Sequence, residues 1–333
     1  MKLGAYTACL QDRPLREALT MVADLGLTSA EINAGGFIPA PHLPVRELLA
    51  GGGGAGAYLR LFEQAGITLT GLNVNGNPLN PDPEVGPKHA GDLRQAIEIA
   101  GLLGVRRVVA MSGLPGSDDR ARYPSWVVNP WDSQYLDVLD YQWQEVAIPF
   151  WKDIQARARD ADVTVCIEMH PHNLVYNPGT LERLATEINA THVGAEMDPS
   201  HLFWQGIDPV AAIKRLGDLV CHAAAKDTRI NEENCRVFGV LDDRFRRVPA
   251  DENPVGLGGK NTLTRWPADS TWDFVAVGRG HDQDFWTGFL RALAAVDPDM
   301  AVNIEHEDQE LGQVEGLRLA AGNLKAAAAA AGV

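Results

Sequence analysis

Four polar residues each follow directly on a short apolar run, and together they have the character of a metal site. They are Glu168 in CIEMHPHN, Asp198 in AEMDPSHLFW, His222 in LVCHAAAKDTRI and Glu305 in NIEHED. Three carboxylates and an imidazole that face one another would repel and lose solvation at a large cost unless a cation lies between them. Ligation mostly by oxygen, with one imidazole and no thiolate, favours Mn²⁺, with Mg²⁺, Co²⁺ or Zn²⁺ as alternatives. If these side chains meet, the sequence predicts one divalent metal ion.

The elements that carry these residues decide whether they meet. Short β-rich apolar runs alternate with amphipathic helical patterns along the whole chain. The eight runs cover residues 3–8, 30–33, 68–74, 107–111, 163–169, 193–197, 219–224 and 301–304. Eight such units predict one α/β domain over 1–333, a (β/α)₈ TIM barrel, whose C-terminal strand ends converge at one mouth. A dinucleotide-binding sheet is disfavoured because no GxGxxG follows the first run.

Two connections are long enough to carry function. Residues 111–136 follow the fourth predicted strand, and residues 228–282 separate the seventh strand from its helix. The chain of 333 residues also exceeds the ~250 typical of a plain barrel. Because loops after barrel strands lie on the face where active sites form, we expect 228–282 to be an insert or lid over the mouth.

The composition restricts the partners. The chain has 29 Lys and Arg against 44 Asp and Glu, a net charge of −15, so nucleic acid and anionic membrane surfaces are not expected to bind. No apolar run approaches the ~18 residues of a membrane helix. The N-terminus carries no charged-then-apolar leader, which predicts a cytoplasmic location. The four cysteines form no CxxC pair and are expected to be free thiols. A homo-oligomer is left open.

The order of these motifs resembles that of the xylose isomerase-like TIM-barrel superfamily, which includes sugar isomerases, ketose 3-epimerases, inosose dehydratases and endonuclease IV-like enzymes. The order E…DxxH…H…E is found here as Glu168, Asp198 with His201, His222 and Glu305. In the family's ketose epimerases, the matching Glu, Asp, His and Glu bind the metal. The resemblance implies the same role for these four residues and a substrate contact for His201.

This sequence departs from two branches of that superfamily. The additional histidines and the late Asp-x-His pair of a trinuclear zinc cluster are absent, which argues against a DNA substrate. Leu174 stands where ketose 3-epimerases carry a further Glu, and Thr228 where they carry an Arg. Lys226 and Asp227 resemble instead the Lys-Asp pair of inosose dehydratases. This pair favours a cyclic or glycosidic keto-sugar as substrate.

The chemistry common to these branches is proton abstraction next to a carbonyl. We expect a metal-dependent isomerase or epimerase of a sugar or keto-sugar, in which Glu168 and Glu305 serve as base and acid and the metal stabilises an enediolate. A lyase or dehydratase acting on a 3-keto sugar, keto-glycoside or keto-inositol is the alternative, because the same intermediate serves both reactions. A sugar-binding barrel without catalysis is a third. No glycine-rich phosphate cradle is evident, which favours an unphosphorylated sugar.

Six further polar residues are expected to line the substrate pocket. They are Asn75, His170, His172, Lys226, Arg279 and His281. Ordinary loop positions for the histidines, and an ion pair between Lys226 and Asp227, are the competing interpretations. Arg279 and His281 belong to the expected lid.

Overall fold

The computed structural model describes residues 1–333 and contains a closed barrel of eight parallel strands. Around the barrel the strands follow the order β1-β12-β7-β6-β5-β4-β3-β2. The barrel strands are β1 (Lys2–Tyr6), β2 (Ser29–Asn33), β3 (Thr68–Asn73), β4 (Arg107–Met111), β5 (Thr164–Glu168), β6 (Val193–Met197), β7 (Val220–Ala225) and β12 (Ala301–Ile304). The prediction of a (β/α)₈ barrel is confirmed.

The barrel strands are short and most of their residues are buried, as expected of parallel strands covered by helices. All five residues of β2 and of β6 are buried. In register, Glu168 of β5 lies beside Glu196 of β6, and Glu196 lies beside His222 of β7. Charged side chains are thus held at neighbouring positions around the barrel.

The helices form the outer layer. They are α1 (Leu15–Asp24), α2 (Val45–Leu49), α3 (Gly54–Ala65), α4 (Val85–Leu103), α5 (Ser133–Asp140), α6 (Ile148–Asp160), α7 (Pro178–Ile188), α8 (Ser200–Phe203), α9 (Pro209–Leu216), α10 (Glu232–Phe238), α11 (Gln283–Val296) and α12 (Gln313–Ala331). In α1 the spacing of Ala18, Leu19 and Val22 buries one stripe against the barrel. At α7 the Asn177 side chain accepts a hydrogen bond from the backbone N–H of Thr180 at 2.9 Å, which fixes the helix start. No helix has the length and apolarity that a membrane crossing requires.

The two long connections contain structure of their own. After β4, the chain forms an irregular loop and then α5, which buries no side chain. After β7, β8 (Asp227–Ile230) pairs antiparallel with β11 (Trp272–Val275), and between them lie α10 and a small ribbon of β9 (Arg246–Arg247) and β10 (Thr264–Arg265). The buried Asp227 anchors the return by accepting hydrogen bonds from the backbone N–H groups of Gly278 and Gly280 at 2.9 and 3.0 Å.

The barrel interior is polar at one level, and this level requires a glycine in β1. A Cβ at Gly4 would lie 2.3 Å from both Asn303 Oδ1 and Ser29 Oγ. Asn303 Nδ2 in turn donates to Glu31 Oε2 at 3.0 Å. A side chain at position 4 would therefore displace a buried hydrogen-bond network.

We expect Gly4→Ala to destabilise the protein by about 1–3 kcal/mol, the usual cost of overpacking an interior. Gly91→Ala is the matched control, because Gly91 lies in α4 with open space around its Cβ position. Removing that glycine from a helix should stabilise by about 0.5–1 kcal/mol. Urea unfolding gives the free energy of unfolding of both variants. Equal values for Gly4→Ala and Gly91→Ala would contradict this description of the interior.

Candidate active site

Three of the residues predicted as metal ligands lie at the mouth of the barrel. Glu168 is the last residue of β5, and Asp198 and Glu305 directly follow β6 and β12. All three side chains are buried, with Glu305 the most exposed at 8%. Strand ends bring these carboxylates to one face from positions far apart in the sequence.

Two histidines and an amide surround Glu168. Nε2 of His201 lies 3.2 Å from Oε1 of Glu168 and 3.5 Å from Oδ2 of Asp198. The ring of His170 lies 3.9 Å from that of His201, centroid to centroid. Asn75 Nδ2 donates to Glu168 Oε2. Three residues predicted to contact substrate therefore share one cluster with Glu168.

Lys226 lies beside the third mouth carboxylate. Its Nζ is 3.3 Å from Oε2 of Glu305, 3.0 Å from Oε1 of Glu307 and 4.5 Å from the centroid of the Phe274 ring. Its ion pairs are made with Glu305 and Glu307, whereas Asp227 binds the loop around Gly278. Burial alone would lower the pKa of the Lys226 ammonium, but the carboxylates of Glu307 and Glu305 outweigh it and raise that pKa well above its usual range. Lys226 is therefore a buried, charged ammonium.

His222 lies in a different group from the mouth carboxylates. Its Nε2 is 2.6 Å from Oε2 of Glu31, and Asn303 Nδ2 lies 3.2 Å from the same nitrogen. Because strand side chains alternate, the next positions of β7 on the same face are Ala224 and then Lys226. The β7 side chain that reaches the mouth is thus an ammonium, and the imidazole of His222 lies two levels deeper.

The remaining predicted pocket residues bind parts of the surrounding loops. His172 packs edge-on against Trp126 at 4.8 Å between ring centroids. Arg279 pairs with Asp308 and Glu310 at 2.5 Å each. The Nδ1 of His281 lies 2.8 Å from Asp227 Oδ1, and its ring stacks on Phe203. In this structure Arg279 and His281 hold the long connection after β7 in place.

The surroundings of the mouth shift the pKa values of its carboxyl groups in different directions. Burial would raise the pKa of Glu168, but the adjacent His201 and the charge of His170 outweigh it and lower that pKa to about 2. Burial raises the pKa of Asp198 to about 7, although Lys226 acts in the opposite direction. Burial also raises the pKa of Glu305 well above its usual range against the same opposing charge. The mouth thus lowers the pKa of one carboxyl group and raises the pKa values of two others.

The donors at the mouth fit a divalent cation. One ligand atom from each of Glu168, His170 and His201 lies within 4.8 Å of the other two. Burial and the charge of His170 lower the pKa of His201 to about 3, so its ring is neutral, as a metal ligand must be. Neither nitrogen of His201, nor Oε1 of Glu305, has an aligned hydrogen-bond partner. These unpartnered buried atoms are the ones a cation would satisfy.

Sequence reasoning did not identify Glu31 and Glu196, which form a second group with His222. Both are charged residues inside fully buried strands, in SAEIN and VGAEM. That contrast was the available signal, since a lone carboxylate on a buried strand needs a partner.

Comparisons with known proteins agree with this architecture. The family model described as "Xylose isomerase-like TIM barrel" matches residues 19–326. The uncharacterized protein YfiH of Bacillus subtilis (strain 168) is 35% identical over 328 residues, 98% of each chain. The solved IOLI protein with a bound zinc atom has 17% identity, a TM-score of 0.61 and 99% and 98% coverage of this chain and its own. The 3-keto-D-glucoside 4-epimerase YcjR of E. coli has 13% identity, a TM-score of 0.60 and 99% coverage of both. These two structures share the fold.

We expect Lys226→Met to destabilise the metal-free protein by about 3–5 kcal/mol, because the change leaves the buried Glu305 without its charge partner. Lys152→Met is the control, since Lys152 is exposed and makes no ion pair. It should stay within about 0.5 kcal/mol of the parent. Urea unfolding at neutral pH gives both values. A Lys226→Met variant as stable as the control would show that the ion pair does not contribute to the free energy of unfolding.

Proposed function

This chain belongs to the xylose isomerase-like TIM barrel family, and we propose that it is a divalent-metal-dependent isomerase or epimerase of a sugar or keto-sugar. The observation that carries the proposal is geometric: Glu168, Asp198 and Glu305 lie at the ends of strands at one mouth of the barrel, and Nε2 of His201 lies 3.2 Å from Oε1 of Glu168. The pKa of Glu168 is lowered to about 2 while that of Glu305 is raised well above its usual range. Two carboxyl groups whose pKa values are driven apart are suited to serve as base and acid.

The proposed metal ligands are Glu168, His170 and His201, with Asp198 and Glu305 adjacent. In this assignment His201 supplies the imidazole that the sequence assigned to His222, because His222 lies deeper in the barrel beside Glu31. When bound, the cation would act as a Lewis acid toward the substrate's carbonyl oxygen. The metal is one of Mn²⁺, Mg²⁺, Co²⁺ or Zn²⁺, and two imidazoles with one carboxylate suit Mn²⁺, Co²⁺ or Zn²⁺ better than Mg²⁺.

Proton movement is assigned to the two glutamates. Glu168, ionised, takes the proton from the carbon next to the carbonyl, and Asn75 fixes the orientation of its carboxylate by donating to Oε2. Glu305, whose pKa is raised by burial, is assigned the return of a proton on the other face for epimerisation or at the neighbouring carbon for isomerisation. Each positioned group contributes roughly 10²–10⁴-fold.

Lys226 orients the carboxyl group of Glu305. Its Nζ lies 3.3 Å from Oε2 of Glu305 and leaves Oε1 of that carboxyl without a partner. The free oxygen is therefore the one available to a substrate hydroxyl. We assign a neutral, unphosphorylated sugar, because Lys226 is the one buried ammonium of the site and is already paired with two carboxylates.

A dehydratase or lyase acting on a keto-sugar is the second candidate. Lys226 favours it, because an ammonium beside the acid Glu305 can assist the departure of a β-hydroxyl group. The probable 3-DHS dehydratase AsbF of Bacillus anthracis shares the fold, with a TM-score of 0.60 and 13% identity. Product mass separates the two: it is unchanged by isomerisation and falls by one water on dehydration.

We expect the metal-loaded protein to incorporate deuterium next to the carbonyl of a keto-sugar in D₂O, as followed by NMR and mass spectrometry. Glu168→Gln should slow this exchange by roughly 10²–10⁴-fold, because the amide cannot accept the proton. Glu98→Gln is the control, since Glu98 is exposed on α4 and should exchange like the parent. A panel of ketoses, 3-keto-glycosides and keto-inositols that bind without any exchange would instead support a sugar-binding barrel.

Removal of metal should abolish the exchange. After dialysis against a chelator, with metal content checked by elemental analysis, we expect activity to disappear and to return on addition of Mn²⁺, Mg²⁺, Co²⁺ or Zn²⁺. The reason is that the residues at the mouth otherwise give the substrate carbonyl no strong electrophile. Undiminished exchange in verified metal-free protein would rule out the metal-dependent proposal.

A further inference from the structure

A second group of ligand-type side chains lies inside the barrel, away from the mouth cluster. It consists of Glu31 on β2, Glu196 on β6 and His222 on β7, and none of the three is more than 1% exposed. One ligand atom from each lies within 4.8 Å of the other two. Three different strands thus direct a carboxylate, a carboxylate and an imidazole at one point.

Glu31 has a full set of hydrogen-bond donors. Its Oε1 accepts from Asn73 Nδ2 at 2.8 Å, and its Oε2 accepts from Asn303 Nδ2 at 3.0 Å and lies 2.6 Å from Nε2 of His222. The two asparagines hold this carboxylate in a single orientation. The surrounding network is therefore built to support Glu31, as residues behind a metal ligand commonly do.

Glu196 has no partner at all. Neither of its carboxylate oxygens, nor Nδ1 of His222, makes a hydrogen bond. An ionised carboxylate left in this state is costly, and protonation alone would leave a buried hydroxyl without an acceptor. A cation between Glu196 and His222 would satisfy both groups at once.

A cavity borders this group on the side of the barrel away from the mouth. A cavity of about 290 Å³ opens at the N-terminal ends of the barrel strands and is lined in part by His222. Lys2, Thr68 and Asp297 border it, so it lies at the end of the barrel opposite Glu168 and Glu305. The buried imidazole of His222 thus forms part of the wall of this cavity.

We propose that Glu31, Glu196 and His222 form a second divalent-cation site inside the barrel, separate from the mouth. Two carboxylates and one imidazole suit Zn²⁺, Mn²⁺ or Co²⁺. The ion ties β2, β6 and β7 together. Because Asp198 lies two residues after Glu196 and Lys226 four residues after His222, it also sets the positions of two mouth residues.

The test is the number of ions bound by the full-length protein. Metal-free protein is titrated with Co²⁺, desalted and analysed by elemental analysis. We expect two equivalents per chain in the parent, one in Glu196→Gln and one in His201→Ala. Ser29→Ala is the matched control: it removes a hydroxyl from the same buried layer, 3.4 Å from Asn303 Oδ1, without removing a ligand. It should keep two.

The outcomes separate this site from the proposed catalytic metal. One equivalent that is lost in His201→Ala but kept in Glu196→Gln would overturn the interior site and leave the mouth metal intact. One equivalent lost only in Glu196→Gln would support the interior site and remove the mouth metal. If Glu196→Gln does not fold, the parent titration still decides, because a single equivalent displaced by His201→Ala contradicts the interior site.

A stability measurement checks that the interior ion is bound where we place it. Chelation should lower the melting temperature of the parent and of Ser29→Ala by the same amount. In Glu196→Gln the shift should be smaller, because only the mouth ion is left to lose. Equal shifts in all three proteins would contradict a cation held by Glu196.

Discussion

Negative charge held away from water is the constraint on which this barrel interior depends. Five buried carboxylates line the interior and its mouth: Glu31, Glu168, Glu196, Asp198 and Glu305. Lys226 is the one ammonium buried with them. Burying a carboxylate is costly unless it is paired, hydrogen-bonded or protonated. The interior meets this condition with Lys226 beside Glu305 and an asparagine pair around Glu31, and it leaves Glu196 without any partner.

Because the barrel is closed, the buried charges of the deeper level and those of the mouth lie along the same strands. Alternate residues of one strand face the interior. Asp198, just after β6, therefore lies on the same side as Glu196, and Lys226, just after β7, lies on the same side as His222. Residues of the deeper level and of the mouth therefore lie on the same two strands. The loops around the mouth are held by separate ion pairs, such as that of Arg279 with Asp308, which do not involve the interior charges.

The fold could be predicted from the sequence because few folds other than a (β/α)₈ barrel accommodate eight apolar runs that alternate with amphipathic helical patterns. The sequence also placed Glu168, Asp198 and Glu305 at the mouth, since each ends or follows a strand. The sequence did not predict how deep His222 lies in the barrel, because that depth depends on where the strand ends. In the structure β7 continues to Ala225, three residues beyond the histidine. Glu196 was missed for a related reason, as a charge inside an apolar strand gives no sign of its neighbours across the barrel. The antiparallel pairing of β8 with β11 was not predicted either, because it depends on contacts between segments far apart in the sequence and gives no local sequence pattern.

Cations in the barrel interior are the central claim, and anomalous X-ray scattering from crystals grown with Mn²⁺ tests it most directly. The account predicts one peak at the mouth, in contact with Glu168 and His201, and a second at the deeper level, in contact with Glu196. Diffraction data with no anomalous peak inside the barrel, and with water or the Lys226 ammonium in contact with these side chains, would contradict it.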